Sequence, residues 1–184
     1  MRHETYMLRA LAEAEEALKR GEFPVGCVIA DKEGILVSGQ RMNSVGIPNE
    51  MDHAEIMALR ALISSGSVVE ERGDLIVYST MEPCLMCFST LILNGIHTIV
   101  YGYEDAMGGG TNLPLEKLNP LYAAMTVTVV PHILRQQSLS LFKRFFSRPD
   151  NRYWRDSFLA RYTLAQQDEE KGPGNGSMEG SSPA

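Results

Sequence analysis

The sequence predicts a single α/β domain in which strands and helices alternate, with parallel crossovers between strands. Three observations predict it. The chain has 184 residues, 44% of them hydrophobic, which is enough apolar material for one full core. Its apolar period switches back and forth between helical and extended spacing. Glycines mark the switches, at Gly21, Gly34, Gly66, Gly95 and 108–110. The domain is expected over 1–164, with its motifs in 21–131 and helices across 132–164. Residues 165–184 lack aromatic and branched apolar side chains and read as a disordered tail.

The elements follow in order. Tyr6, Met7, Ala10, Leu11, Ala14, Ala17 and Leu18 recur at helical spacing, so 3–20 reads as an amphipathic helix that Gly21 stops. Val25–Ala30 and Ile35–Ser38 are β-type runs around Asp31-Lys32-Glu33-Gly34, which predicts a hairpin. His53–Leu62 is apolar on most sides and ends at Ser64-Ser65-Gly66, a buried helix. Leu75–Ser79 is a strand. Pro83 then opens a second short buried helix that Asn94-Gly95 caps. Thr98–Tyr101 and Thr126–Val130 are further strands, with a helical stretch over 115–124 between them and one or two helices across 132–164.

Composition narrows the function classes. No run approaches the ~18 apolar residues of a membrane span, and the N-terminus is acidic and amphipathic, unlike a secretory signal. The chain therefore reads as soluble and cytoplasmic, without a membrane partner. Three cysteines, Cys27, Cys84 and Cys87, are too few for a disulfide framework, so metal or redox chemistry is their better use. The net charge of −6 is uneven: 132–164 carries Arg135, Lys143, Arg144, Arg148, Arg152, Arg155 and Arg161 against Asp150 and Asp156. Such a segment is either a nucleic-acid contact or a solvated helix face.

The chemistry concentrates in two short motifs. His53-Ala54-Glu55 lies where a loop enters a helix, and Pro83-Cys84-Leu85-Met86-Cys87 where a strand gives way to one. Cysteines three apart in a first helical turn reach one ion from one face, and the helix dipole favours their thiolates. Two thiolates and one imidazole select Zn²⁺, one per chain, and three protein ligands leave a fourth position for water. Glu55, two residues from His53, points elsewhere and is read as the proton shuttle. A redox dithiol at Cys84 and Cys87 leaves His53 and Glu55 idle, and a structural zinc site wants a fourth protein ligand. Cys27 could supply one on spacing, but Gly26-Cys27-Val28-Ile29 reads as buried strand with cysteine as apolar filler. His3, His97 and His132 lack ligand spacing and read as surface or cap residues.

His-x-Glu followed by Pro-Cys-x-x-Cys is the motif pair of zinc deaminases. Across Gly21-Glu-Phe-Pro-Val-Gly26, His53-Ala-Glu-Ile-Met-Ala-Leu-Arg60 and Met81-Glu-Pro-Cys-Leu-Met-Cys87, the chain resembles the cytidine deaminase superfamily over roughly residues 5–146. Among its members it is most similar to bacterial tRNA-specific adenosine deaminases. The resemblance implies a three-layer α/β/α sandwich with a central mixed five-stranded sheet, a homodimer, zinc on His53, Cys84 and Cys87, and Glu55 as shuttle. Glu55 takes a proton from the attacking water, passes it to a ring nitrogen and then protonates the departing amine. The resemblance also places a base-contacting asparagine at Asn43 and a substrate-side aspartate at Asp105, for which a capped, solvent-exposed acid is the alternative.

Departures fall where substrate is chosen. Phe88-Ser89-Thr90 stands where the tRNA enzymes usually carry small residues, and Pro48-Asn-Glu-Met-Asp52 replaces their approach to the histidine. Phe88 is expected to narrow the pocket. Phe145 to Asp156 faintly resembles the Pro-then-Trp ending of fungal cytosine deaminase, which makes Trp154 a lid, or else core at helical spacing with Phe158. The leading expectation is deamination of a free nucleobase or nucleoside of guanine, adenine or cytosine type. The alternatives are a tRNA adenosine deaminase forming inosine at the anticodon wobble position and, remotely, an inactive zinc-stabilised binding module.

Overall fold

The computed structural model describes residues 3–45, 49–66 and 72–167; Pro48 and the tail from residue 168 onward lie outside them. Helix α1 (His3–Lys19) leads to a hairpin of β1 (Gly26–Ala30) and β2 (Ile35–Gln40). Then come α2 (Ala54–Ser64), β3 (Ile76–Met81), α3 (Leu85–Leu93), β4 (Thr98–Tyr103), α4 (Pro120–Ala123), β5 (Thr128–Val130), α5 (Arg135–Phe146) and α6 (Phe158–Ala165). The sheet order is β2-β1-β3-β4-β5. β1 pairs antiparallel with both β2 and β3, while β3, β4 and β5 run parallel. The expected parallel crossover is the α3 connection between β3 and β4.

Two glycines set the layers. Gly26 pairs with Gln40 and Cys27 with Gly39, so Gly26 and Gly39 face opposite sides of the sheet. A Cβ on Gly26 would run into the backbone of Ala10 and Ala14 in α1; one on Gly39 would sit 2.5 Å from Ala54 O and Ala58 N in α2. Helix α1 therefore lies tight on one face and α2 on the other, which is the three-layer α/β/α arrangement. α5 joins α1 on its face, and α3 packs beside α2. Phe23 anchors the α1/α5 side, its ring centroid 5.2 Å from Phe142 and 5.3 Å from Phe145.

Gly39→Ala should therefore destabilise the fold by about 1–3 kcal/mol, because α2 cannot give way without moving off the sheet. Gly73→Ala, with nothing within 4 Å of its added carbon, should stay within about 0.5 kcal/mol of the parent. Urea unfolding of the two variants measures the difference.

The stretch 115–124 departs from expectation. It divides into a 3-10 turn, Leu115–Lys117, and the four-residue α4, because Pro120 cannot donate a helical hydrogen bond and holds Asn119 extended at φ −61°, ψ 157°. The last strand starts at Thr128 and not Thr126. Across 132–164 two helices form, separated by a segment containing Pro149 and Trp154. Among the described residues no helix is long and apolar enough to cross a membrane.

Candidate active site

Sheet and helix starts converge on one point. His53 is the N-cap of α2 and Cys84 the N-cap of α3, both in extended conformation with no side-chain bond to their own helix. Their side chains are thus left to face each other. His53 Nδ1 lies 3.5 Å from Cys84 Sγ and 3.4 Å from Cys87 Sγ. The three donor atoms all fall within 4.8 Å of one another. A single tetrahedral ion is the object such a set of two soft sulfurs and one imidazole fits. The pair of thiols shares a proton: hydrogen bonds from Cys87 and then His53 pull Cys84 down to about 4, while Cys87, donating to Cys84 and buried, is pushed up. A divalent cation held by His53, Cys84 and Cys87 would take the place of that proton, with both sulfurs as thiolates.

Glu55, in the first turn of α2, is 3% exposed. Ser79, on β3, donates its hydroxyl to Glu55 Oε1 at 3.0 Å. The other carboxylate oxygen lies 3.5 Å from Cys87 Sγ, so Glu55 sits beside the ligand set without belonging to it. Burial raises its pKa above the ordinary carboxylate value, which brings proton uptake and release closer to neutral pH, as a shuttle requires. Cys27, paired with Ser79 across the sheet, is fully buried and outside the ligand group, the apolar filler expected.

A cavity of about 160 Å³ opens over these groups, lined among others by Arg41, Glu50, His53, Glu55, Glu82, Asp105, Met107 and Trp154. It is small beside the roughly 300–1,000 Å³ of drug-sized sites, and so suits one ring system. Its far wall is the 105–110 loop, which Glu82 holds by accepting from Asp105 N at 3.2 Å and from Thr111. A Cβ at Gly109 would meet the Glu82 carboxylate, so a side chain there would displace the group that holds the loop.

The residues expected at the substrate divide. Asp105 lines the cavity, although its Oδ1 accepts from Met107 N at 3.0 Å and Gly108 N at 2.9 Å, so it also caps its own loop. Trp154 lines it too, 44% exposed in a turn before α6, and is not core. Phe88 does not line it: one residue past Cys87 the helix has turned by about 100°, and the ring is 1% exposed in the core. Asn43 does not line it either. Its backbone is left-handed at φ 58° and its amide donates to Asp52 Oδ2 at 2.6 Å. Arg41, two residues earlier and 2% exposed, takes the place on the wall. His3 bonds the Tyr78 hydroxyl at 3.1 Å, His97 reaches the Ile92 carbonyl at 3.3 Å and His132 lies 3.5 Å from Glu104, all away from the site.

The sequence of residues 1–103 matches the cytidine and deoxycytidylate deaminase zinc-binding region. The chain belongs to this deaminase family. It is a zinc hydrolase, and His53, Cys84 and Cys87 are placed as its metal ligands. This deaminase is 33% identical over 147 residues to a tRNA-specific adenosine deaminase of Rickettsia felis, a match covering 77% of the chain and 99% of that protein. Among solved structures, a protein from work on tRNA:A34 deaminases acting at the wobble position is 24% identical, with TM-score 0.59, covering 74% of this chain and 98% of that one. A guanine deaminase of Nitrosomonas europaea is 20% identical, with TM-score 0.63 and coverage of 77% and 83%. Both structures share the fold.

Proposed function

We propose that this deaminase converts adenosine to inosine in tRNA, at the wobble position of the anticodon. The relatives support this reading over the free-nucleobase expectation. The observation that carries it is a groove of about 770 Å³ beside the small cavity, sharing Glu50, Tyr153 and Trp154 with it. Lys19, Arg20, Arg148 and Arg152 line this groove against Glu50 and Asp150. A free base has no use for such a channel, whereas a strand with one base inserted in the cavity needs a path for its phosphates.

Most of the basic C-terminal segment serves another purpose. Arg135 pairs with Glu104, Arg144 makes two 2.8 Å bonds to Glu15, and Arg161 donates to the Asp156 carbonyl at 2.6 Å. Arg148 donates to the Leu18 carbonyl at 3.1 Å and lies 3.5 Å from Asp150, which leaves Arg152 and the end of α1 beside the site.

In the reaction, bound zinc supplies the Lewis acidity that makes water nucleophilic at neutral pH. Glu55 accepts the water proton and delivers it to the ring nitrogen beside the amino-bearing carbon as the water oxygen bonds to that carbon. It then takes the remaining proton of the added hydroxyl and passes it to the amine, so that the C–N bond breaks, ammonia leaves and the carbonyl forms. Ser79 holds that carboxylate in place.

The test offers zinc-loaded protein bulk tRNA, adenosine, adenine and guanine, and follows ammonia and product mass. Inosine in tRNA, with binding that weakens in proportion to log salt at a slope of about −0.7 per phosphate contact, is the expected result. An Arg20→Ala/Arg152→Ala variant should lose about one to two contacts of that slope. Turnover of a free base without tRNA turnover would restore the small-molecule reading, which the size of the cavity and Trp154 at its mouth favour.

A further inference from the structure

We infer that Glu50 positions the zinc ligand His53, and that the C-terminal segment, through the Tyr153 hydroxyl, holds Glu50 in that role. His53 Nδ1 faces the two sulfurs and is the atom placed to ligate zinc, so in the zinc-bound protein the ring proton would belong on Nε2, which lies 3.3 Å from Glu50 Oε2. A carboxylate there fixes the tautomer and ring orientation and raises the basicity of the ligating nitrogen.

Glu50 is itself 54% exposed, so its side chain would sample several rotamers in water unless held. Two groups hold it. Arg41, whose side chain is 2% exposed, donates from Nη2 to Oε2 at 3.0 Å, and Tyr153 reaches Oε2 at 3.0 Å and Oε1 at 3.2 Å. Arg41 is fixed in turn by the Asn49 carbonyl at 2.9 Å and by the Tyr153 ring, 5.9 Å from its guanidinium carbon. A buried guanidinium needs a carboxylate, so Arg41 and Glu50 constrain each other.

Tyr153 comes from the segment between α5 and α6, outside the residues that match the family description. Its ring packs on Phe23 at 5.5 Å and carries Trp154 beside it at 5.9 Å. The residue that bonds Glu50 is thus adjacent to the one at the cavity mouth, and docking of this segment is felt at His53. The inference rests on His53 as a zinc ligand and not on which base is the substrate.

Zinc affinity, by competition with a chromogenic chelator, and the visible spectrum of the cobalt-loaded protein test it without relying on activity. Glu50→Ala should weaken zinc by about 10–100-fold and shift the cobalt bands. Tyr153→Phe, which keeps the ring packing and removes only the hydroxyl, should weaken zinc by about 3–10-fold, and should have no further effect in the Glu50→Ala background. Parent affinity and an unchanged cobalt spectrum in both variants would overturn the proposal. So would lower stability of the metal-free variants with parent zinc affinity, because that pattern is a packing role. A parent protein that bound no zinc would instead overturn the ligand assignment beneath it.

Discussion

Glu55→Gln is expected to reduce deamination by at least about 10³-fold while zinc content and fold stay as in the parent. The loss is large because one carboxylate handles every proton in the reaction, and general acid–base groups contribute roughly 10²–10⁴-fold each. Glutamine keeps the volume and can still accept from the Ser79 hydroxyl, so the buried 3.0 Å hydrogen bond survives and no unpaired polar atom is created. The variant should bind substrate with near-parent affinity and fail in kcat, the pattern of an interaction made in the transition state. Metal analysis and single-turnover kinetics on one preparation check both halves. Loss of zinc in Glu55→Gln would show that the carboxylate is a ligand after all.

Cys87→Ala should have the opposite signature: zinc is lost and stability falls with it. His53 begins α2 and the two cysteines begin α3, so the ion ties two helix starts on one face of the sheet. Removing one of three ligands leaves two, and binding that exists only in the folded state is stabilisation. At zinc a thousandfold above its dissociation constant the stabilisation is about 4 kcal/mol, or roughly 8–16 °C in Tm for a chain of this size. Thermal unfolding with and without chelator measures it: the parent should drop by that amount, and Cys87→Ala should not respond. Equal responses to chelator would remove the metal from the folding account.

What was legible in the sequence follows from how local each feature is. His53, Glu55, Cys84 and Cys87 declare themselves because their spacing sits within single helical turns. The alternation of apolar periods marks the helices and strands that carry them. Residues that support the site are different. Ser79 meets Glu55 across 24 positions and Glu82 meets Thr111 across 29, pairings that exist only once the sheet has assembled. Glu50 stands only three residues from His53, yet its role depends on Arg41 and Tyr153 converging on it. Asn43 does not line the cavity, since chain proximity says nothing of the left-handed turn that sends its amide to Asp52. Phe88 lies in the core, since adjacency to Cys87 on a helix means facing another way. Trp154 stands at the cavity mouth, but its backbone at φ 54° belongs to a turn that no helical spacing anticipates.

The most direct measurement is a zinc titration of turnover, with metal-free protein receiving increments of zinc while ammonia release from adenosine-containing tRNA is followed. The account predicts no release at zero zinc, a linear rise, and a plateau at one ion per chain with inosine accumulating in step. Turnover by the metal-free protein, or full zinc occupancy with no ammonia from any nucleobase substrate, would contradict it.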